Sequence, residues 1–442
     1  MNIQELSQVF KIIKTNNIDN DIIFDYFRVV KYNNDIDIDK HNNVLFFPIT
    51  IKEEELKDGW YNVSLDLRDK IADIEKNNPN YILVIEPFMK DLVSSKCKYI
   101  MVDNIMECVS KLADYKLNKF KGKIIAVTGS VGKTTTVGFI KQVLGDKCIR
   151  IYSKRITPLV LDCFLINYLN NDYDYFVIET SLWFKEHITY FSKRLKPDLA
   201  ILLNVYPEHI GVGDIKTISD VAKFKSLLLE YANNVLINYT DNELKKIDIR
   251  DNYVYYNNEL VVKTNVNNII KIDKMNSDIE PYIKTKLTML QETIAYEVGK
   301  YYKLDEKLIL ERLKNIKPVE HRVNKEKIYN HEIIFDGDVS GVARLNNFFD
   351  HYYDKAYLII INLVEGGEEE EDYTKLEKTF TNFEKVYINK KFSKYFKDDN
   401  IIYIDNLNFI RALENDVTLF VHCGSYYRKY DEFNIKNLEE YL

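Results

Sequence analysis

The chain has 442 residues, more than one ordinary domain holds, and this length predicts about three domains. Its 61 basic and 68 acidic residues give a net charge of −7, and no basic stripe runs along the chain. This balance argues against nucleic acid as the main partner. Hydrophobic residues make up 46% of the chain, so it can bury sizeable cores and lacks the composition of a disordered protein.

The N-terminus and the cysteines indicate a cytoplasmic protein. The opening segment, MNIQELSQVFKIIKTNN, lacks the basic-then-apolar pattern of a secretory signal, and no run approaches the ~20 apolar residues of a membrane span. None of the cysteines lies in a CxxC pair, so we expect reduced thiols and no structural zinc. They are Cys97, Cys108, Cys148, Cys163 and Cys423.

Apolar runs predict an α/β fold in three consecutive regions. In residues 1–120, two runs predict strands at 44–47 and 81–85, and an amphipathic helix is expected at 105–115. Residues 121–318 alternate strands and helices, with strands expected at 124–128, 175–179, 199–204 and 235–238. Residues 319–442 repeat this alternation, with strands expected at 332–336, 357–362, 385–389, 400–404 and 417–422.

We therefore predict three domains with boundaries at 1–120, 121–318 and 319–442. The first is a smaller α/β domain. The second is a nucleotide-binding domain built on a mostly parallel sheet, and the third is a Rossmann-like α/β domain.

The segment KIIAVTGSVGKTTT, residues 123–136, predicts a phosphate-binding loop between a strand and a helix. Gly129 and Gly132 would let backbone N–H groups converge on an anion, and the helix N-terminus would add its partial positive charge. Lys133 would reach the outer phosphates, and Thr134 would place its hydroxyl for Mg²⁺. The other residues assigned to this nucleotide site are Ser130, Val131 and Thr135.

Taken alone, the loop leaves two interpretations open. The generic pattern requires a glycine where Val127 stands, so the motif is only half satisfied, and a bare Gly-Lys-Thr often arises by chance. The strand before it, the helix after it and the three threonines favour nucleotide binding.

Two polar groups stand where predicted strands end. Glu179 closes one strand, and His209 follows the strand that ends at Asn204. Ligands of α/β sheets gather at the carboxyl ends of strands, so Glu179 is a candidate Mg²⁺ ligand and His209 a candidate second ligand. The alternatives are an ordinary strand-terminal carboxylate and a structural histidine, and for His209 the two interpretations weigh about equally.

Three basic residues further along the chain are weaker candidates. Lys223 and Lys225 lie on a helix expected to begin near Ile218, and two residues apart on a helix they point in different directions. At most one of them should face a site, and the spacing alone favours two surface lysines. Arg322 lies where the last region begins. It could contact an outer phosphate of the nucleotide from a hinge between domains, or it could be an exposed charge in a linker.

In this order, the segments resemble the Mur ligase family, ATP-dependent enzymes that add amino acids or peptides to cell-wall precursors. The resemblance is strongest from residue 123 to about residue 225. Its segments are TGSVGKTTT (128–136), FVIETS (176–181), KPDLAILLNVYPEHIG (196–211), DVAKFKSLL (220–228), VLINYTDN (235–242) and VEHRVNK (319–325). The family's phosphate loop has no glycine at the position of Val127. The segment TGSVGKTTT is similar to the phosphate loop of the branch that adds D-alanyl-D-alanine to the UDP-muramoyl tripeptide.

The resemblance implies an ATP-dependent amide ligase with two Mg²⁺ ions. Lys133 and the loop would bind ATP, while Thr134 and Glu179 would hold the first ion. His209 would hold the second ion beside Lys225. The resemblance favours Lys225 over Lys223 as the family's site lysine, and the lysine at that position is carbamylated in much of the family. The γ-phosphate would pass to a substrate carboxylate, and an amine would then displace phosphate from the acyl phosphate.

The resemblance also implies further contacts and the substrates. Asn238 and Asp241 would lie on the adenine side, and Arg322 and Asp336 would contact the nucleotide from the last domain. The partners would be small molecules: a carboxylate precursor, UDP-linked if residues 1–120 bind such a precursor, and an amino acid or peptide. The oligomeric state is left open.

Three departures from the family pattern leave alternatives. The usual His-Asn…Asn helix is replaced by LTMLQ at 287–291, the Asp-rich loop appears only as DGDVS at 336–340, and residues 1–120 match the family only in rough size and fragments. One alternative is a ligase of the same fold acting on another carboxylate, of the folate or polyglutamate type. The extra N-terminal region counts against the folate branch. The other is an ATP-binding protein that has lost catalysis.

Overall fold

The computed structural model describes residues 1–29, 41–51, 65–151, 156–182, 185–208, 210–211, 213–337, 341–364, 372–414 and 416–442. These residues form two compact units. Unit 1 comprises Met1–Lys123 and Ile151–Phe176, and unit 2 comprises Ile124–Arg150 and Val177–Leu442. The predicted domain boundaries at 120/121 and 318/319 remain predictions.

Helices and strands alternate along most of the described chain. The helices are α1 (Ile3–Ser7), α2 (Ile71–Asn77), α3 (Ile105–Lys119), α4 (Lys133–Leu144), α5 (Pro158–Asn167), α6 (Lys185–Leu195), α7 (Ile218–Ser226), α8 (Lys286–Tyr301), α9 (Glu306–Lys314), α10 (Val342–Phe349), α11 (Glu377–Phe380), α12 (Tyr426–Lys429) and α13 (Ile435–Glu439). The strands up to residue 150 are β1 (Lys14–Asn16), β2 (Tyr26–Arg28), β3 (Val44–Phe46), β4 (Thr50–Ile51), β5 (Leu65–Asp66), β6 (Ile82–Ile85), β7 (Tyr99–Met101), β8 (Lys123–Thr128) and β9 (Cys148–Arg150). The remaining strands are β10 (Tyr175–Glu179), β11 (Leu199–Leu202), β12 (Asn234–Asn238), β13 (Ile247–Arg250), β14 (Tyr253–Tyr256), β15 (Glu259–Lys263), β16 (Asn268–Ile272), β17 (Asn324–Ile328), β18 (His331–Asp336), β19 (Ala356–Asn362), β20 (Lys385–Asn389), β21 (Ile401–Ile404) and β22 (Thr418–Cys423).

Unit 1 is built on a five-stranded sheet in the order β1-β7-β6-β3-β2, with β1 antiparallel to β7 and the other neighbours parallel. Asn104 begins α3 by accepting a hydrogen bond from the N–H of Glu107, which satisfies a backbone donor at the helix start. The Asn167 side chain on α5 exchanges two hydrogen bonds with the backbone of Phe27. These bonds cover part of the edge strand β2.

The sheet that contains β8 has six strands in the order β16-β12-β11-β8-β10-β9. Its strands β8, β11, β12 and β16 are parallel neighbours in turn. Strand β8 comes first in the chain and lies between β10 on one side and β11 on the other, so the strand order reverses at β8. In open α/β sheets, ligands bind at the carboxyl ends of the strands beside such a reversal. The sheet order therefore brings together the residues that follow β8, β10 and β11.

A second six-stranded sheet in unit 2 has the order β17-β18-β22-β19-β20-β21, in which only β17 pairs in an antiparallel way. Buried residues pack on both of its faces, with Leu345 and Phe348 of α10 on one face and Tyr426 of α12 on the other. This arrangement of two covered faces explains why its strands read as nearly continuous apolar runs.

The structure confirms the predicted α/β class and most of the predicted strands. It adds an antiparallel sheet, β13-β14-β15, that the sequence analysis did not anticipate. Its turns carry Asp251-Asn252 and Asn257-Asn258, all four with positive φ, which is the backbone of tight hairpin turns. No helix in the described ranges is long and apolar enough to span a membrane.

We expect the Ile201→Ala substitution to lower the free energy of unfolding by about 2–5 kcal/mol, because it leaves a cavity in the interior of β11. Ile201 has no exposed surface. Urea-induced unfolding followed by circular dichroism measures the loss. The matched control is Ile269→Ala on the edge strand β16, which is 39% exposed and should change the value by less than about 0.5 kcal/mol. Equal losses in both variants would contradict an interior position for β11.

Candidate functional site

The predicted phosphate loop joins the end of β8 to the start of α4. Val127 is fully buried within β8, and its carbonyl accepts the N–H of Thr180, so the chain is still regular strand where the generic motif has glycine. Gly132 has φ +83°, and a Cβ there would lie 2.4 Å from Nε2 of Gln291. The left-handed backbone therefore favours glycine at position 132, and a larger residue would also displace the end of the Gln291 side chain. The first N–H groups of α4 have no acceptor within the helix and are suited to bind an anion.

Asn204, just beyond the end of β11, holds this loop in place. Its Oδ1 accepts the N–H groups of Ser130 and Val131, each at 2.9 Å, and its Nδ2 donates to the Val131 carbonyl at 2.9 Å. All three side-chain bonds are buried. The N–H groups of Ser130 and Val131 are thus engaged by Asn204, so their predicted role in phosphate binding rests on the shape of the loop.

Asn238 and Asp241, at the end of β12, bind the chain on both sides of Asn204. The Nδ2 of Asn238 donates to the Leu203 carbonyl at 2.9 Å, and Oδ2 of Asp241 accepts the Val205 N–H at 3.0 Å. Burial is the largest cause that raises the pKa of the Asp241 carboxyl. The structure thus gives both residues a positioning role, and their predicted contact with adenine remains a prediction.

Three predicted site residues form a chain of hydrogen bonds at the start of α4. The Thr134 hydroxyl donates to Oε2 of Glu179 at 2.6 Å, and Nη2 of Arg322 donates to the same hydroxyl at 3.2 Å. Glu179 ends β10 and is 7% exposed. The structure therefore brings together a hydroxyl, a carboxylate and a guanidinium from three separate segments beside the loop.

Lys133 folds back on its own loop. Its ammonium donates to the carbonyls of Gly129 at 2.8 Å and Ser130 at 3.0 Å. Burial lowers the pKa of Lys133, while the carboxylates of Glu208 and Glu179 act in the opposite direction. These carbonyl contacts hold the ammonium next to the loop, in reach of an anion bound there.

The two lysines of α7 point in different directions, as their spacing predicts. Lys223 forms an ion pair with Glu259 at the surface and lies over the Tyr256 ring. Lys225 is 3% exposed. Burial is the main cause that lowers the pKa of Lys225 to about 7, and the positive charge of Lys133 is the second cause. Lys225 is therefore the lysine that faces the site.

Two charged residues that the sequence analysis did not select also reach the site. Glu208 follows β11, and its Oε1 accepts a hydrogen bond from Nε of Arg344 at 3.2 Å. Glu208 favours the charged forms of Lys133 and Lys225, whereas Arg344 disfavours them. The position of Glu208 directly before His209 was a usable signal, but no local pattern marks Arg344, because its approach depends on how α10 packs.

The remaining predicted residues are placed as follows. His209 lies outside the described residues. Thr135 is half-buried in the first turn of α4. Asp336 ends β18 with no exposed surface and lies opposite His422 in the register of the sheet. Its predicted contact with the nucleotide remains a prediction.

The phosphate loop with Thr134 and Glu179 beside it suits a nucleoside triphosphate with Mg²⁺. Mg²⁺ in such sites is held by one or two protein oxygens together with phosphate oxygens and water, and the adjacent Thr134 hydroxyl and Glu179 carboxylate match that donor set. Within the described ranges, no group of three or more His, Cys, Asp or Glu side chains is placed to hold a metal by itself. The Thr134 hydroxyl and the Glu179 carboxylate, as two adjacent oxygens, fit an ion that arrives with phosphate.

Comparisons with known proteins identify similar sequences and a similar fold. Residues 127–294 match the model of the Mur ligase middle domain. A UDP-N-acetylmuramoylalanine–D-glutamate ligase of Thermosipho africanus is 26% identical over 76% of this chain and 74% of its own length. A UDP-N-acetylmuramoyl-tripeptide–D-alanyl-D-alanine ligase of Rickettsia prowazekii is 25% identical over 62% of this chain and 58% of its own. The structure of MurF ligase from Thermotoga maritima in complex with ADP has a TM-score of 0.62 at 17% identity, covering 94% of this chain and 96% of that one, and shows the same fold.

We expect Asn204→Ala to lower the free energy of unfolding by roughly 2–4 kcal/mol, because the buried N–H and carbonyl of Val131 lose their partner and the Ser130 N–H keeps only the backbone carbonyl of residue 204 at 3.1 Å. Chemical denaturation measures the loss. Asn268→Ala is the matched control, since Asn268 donates to Asn234 at the exposed edge of the same sheet. The control should stay within about 0.5 kcal/mol of the unmodified protein. A loss in Asn204→Ala no larger than in the control would contradict the role of Asn204.

Proposed function

We propose that this chain, which belongs to the Mur ligase family through its middle domain, is an ATP-dependent amide ligase that joins a carboxylate to an amino acid or peptide amine. The observation that carries the proposal is the convergence of Lys133, Glu179 and Lys225 beside one phosphate loop. Each of them comes from a different segment of the chain. A loop that only bound phosphate would not require a buried lysine at position 225.

The first chemical step is transfer of the γ-phosphoryl group to the carboxylate. The bond from phosphorus to the bridging oxygen of ADP breaks, and a bond to the carboxylate oxygen forms. Lys133 would leave its loop carbonyls to bind the outer phosphate oxygens, and the N-terminus of α4 would bind the phosphates through its N–H groups. Mg²⁺ at Thr134 and Glu179 would offset negative charge on the phosphates.

The second step forms the amide. The amine attacks the carbonyl carbon of the acyl phosphate, the bond to the phosphate oxygen breaks, and the amine loses a proton. Arg322, which contacts Thr134 at 3.2 Å, would stabilise the phosphate oxygens in both steps. His209 is proposed as a ligand of a second Mg²⁺.

Lys225 is proposed to act in a carbamylated form. Only a neutral amine reacts with carbon dioxide, and a pKa of about 7 leaves a large share of Lys225 neutral near pH 7. The carbamate would change a cation into a carboxylate-like group, which suits a second Mg²⁺. It would also remove the repulsion between the charges of Lys133 and Lys225.

The proposed carboxylate substrate is a cell-wall or cell-envelope precursor, UDP-linked as in the names of the related ligases. Those names include both a D-glutamate and a D-alanyl-D-alanine ligase, so the amine acceptor is proposed only as an amino acid or short peptide. The described sheet of unit 1 is proposed to bind the precursor, and no nucleic acid is expected as a partner.

We expect carbamylation of Lys225 to give a carbamate carbon signal in NMR spectra of protein equilibrated with ¹³C-bicarbonate. The signal should weaken below pH 7, because protonation of the amine prevents the reaction. Lys225→Met should lack the signal and Lys223→Met, the matched control, should keep it. A signal that persists in Lys225→Met would contradict the assignment.

We expect phosphate release from ATP when UDP-muramoyl peptides and candidate amines are supplied in pairs, with at least one pair active. Lys133→Ala should slow the active pair by about 100-fold or more, because the cation that binds the transferred group is lost. Lys141→Ala, a lysine at the far end of the same helix, is the matched control and should retain activity. No phosphate release with any pair would refute a role in peptidoglycan synthesis. If the unmodified protein turned over ATP no faster than Lys133→Ala, the result would favour an ATP-binding protein that has lost catalysis.

A further inference from the structure

We propose that Arg344 is a second catalytic arginine, which α10 delivers to the oxygens of the phosphoryl group during transfer. This inference rests on the proposed ligase function and adds a residue to it. It follows from the position of α10, from the partner of Arg344 and from the charges around it.

Helix α10 is anchored near its start to the segment after β11 and at its end to the first residue of α8. Near its start, Nε of Arg344 lies 3.2 Å from Oε1 of Glu208. One turn later, Oδ1 of Asn347 accepts the hydroxyl of Tyr206 at 3.0 Å. Directly after the helix, Asp350 accepts the ammonium of Lys286 at 2.9 Å. Arg344 and Asn347 are three residues apart and so share the helix face that meets the chain segment after β11.

That segment is directly connected to the phosphate loop. Tyr206 exchanges hydrogen bonds with Ser130: its N–H donates to the Ser130 hydroxyl at 3.0 Å, and its carbonyl accepts from that hydroxyl at 3.3 Å. Two residues later, Glu208 holds Arg344. The guanidinium is therefore tied, through a short and hydrogen-bonded segment, to the loop that would bind the phosphates.

The charges around Arg344 also place it at the site. Its positive charge is among the causes that lower the pKa values of Lys133 and Lys225. In the described structure the guanidinium pairs with Glu208, and its side chain is 38% exposed, so it is accessible to a ligand. An incoming phosphoryl group would add negative charge to this group of cations.

The chemistry of phosphoryl transfer uses such a group. Charge spreads over the oxygens of the transferring phosphoryl, and an arginine that reaches them can raise the rate by orders of magnitude. Arg322 contacts Thr134, whereas Arg344 contacts Glu208, so the two guanidinium groups are held by different segments of the site. When no phosphate is bound, the ion pair with Glu208 keeps Arg344 beside the site.

The competing explanation is that Arg344 only ties α10 to its neighbours. Lys286 provides the matched comparison, because its ion pair with Asp350 ties the other end of the same helix and contacts no residue assigned to the site. A tether predicts similar effects from Arg344→Ala and Lys286→Ala. A catalytic role predicts that only Arg344→Ala slows the reaction.

The test compares these two variants in phosphate release from ATP with the active substrate pair. We expect Arg344→Ala to reduce kcat by about 100-fold or more, with KM for ATP changed little, and Lys286→Ala to stay within about threefold. Added guanidinium chloride at low millimolar concentration should restore part of the kcat of Arg344→Ala, since the ion can occupy the vacated space. Comparable losses in both variants, or full kcat in Arg344→Ala, would overturn the proposal.

A binding measurement separates this inference from the proposed ligase function, since it needs no carboxylate or amine. Aluminium fluoride with Mg²⁺ and ADP imitates a transferring phosphoryl group. We expect it to tighten ADP binding at least tenfold in the unmodified protein and in Lys286→Ala, and to lose this effect in Arg344→Ala. Equal tightening in Arg344→Ala would overturn the role of Arg344 and leave the ligase proposal intact.

Discussion

The contact on which the site depends is the triple hydrogen bond between the Asn204 amide and the phosphate loop. It satisfies two N–H groups and one carbonyl of a buried loop, and unmet buried groups of this kind are costly. Asn238 and Asp241 hold the residues on either side of Asn204. The ends of β8, β11 and β12 are thereby joined through side chains, and the loop has its shape before any ligand arrives. Such preorganisation lets the binding energy of the phosphates be used in catalysis.

The order of strands decides which residues can take part. Because the strand order reverses at β8, the segments after β10 and β11 flank the phosphate loop. Glu179 and Thr134 are therefore hydrogen-bonded although they lie 45 positions apart in the chain. The second sheet of unit 2 adds cations to this edge. Arg322 comes from the segment that enters it and Arg344 from its first helix. The site thus gathers basic groups around Glu179 and Glu208. Burial is the main cause that lowers the pKa values of Lys133 and Lys225, and neighbouring positive charges add to it.

The sequence was sufficient for the local parts of this arrangement. Apolar runs predicted the strands, the glycine-spaced loop predicted the start of α4, and a two-residue spacing predicted that Lys223 and Lys225 diverge. It was insufficient where a role depends on tertiary packing. Nothing in the local pattern shows that the Asn204 side chain binds Ser130 and Val131. Nor does it show that the side chains of Asn238 and Asp241 form hydrogen bonds with backbone groups, or that Arg344 contacts Glu208. The hairpins of β13–β15 were missed although their Asp-Asn and Asn-Asn turns carry a readable signal.

The central claim is that the site activates a carboxylate by phosphorylating it. Positional isotope exchange tests this most directly, with ATP labelled by ¹⁸O in the β,γ-bridging position and each UDP-muramoyl peptide supplied without the amine. The account predicts that the label moves into non-bridging positions of the β-phosphate only when the carboxylate is present, because reversible acyl phosphate formation frees the β-phosphate to rotate. Amide formation without any such exchange, or exchange that does not depend on the carboxylate, would contradict it.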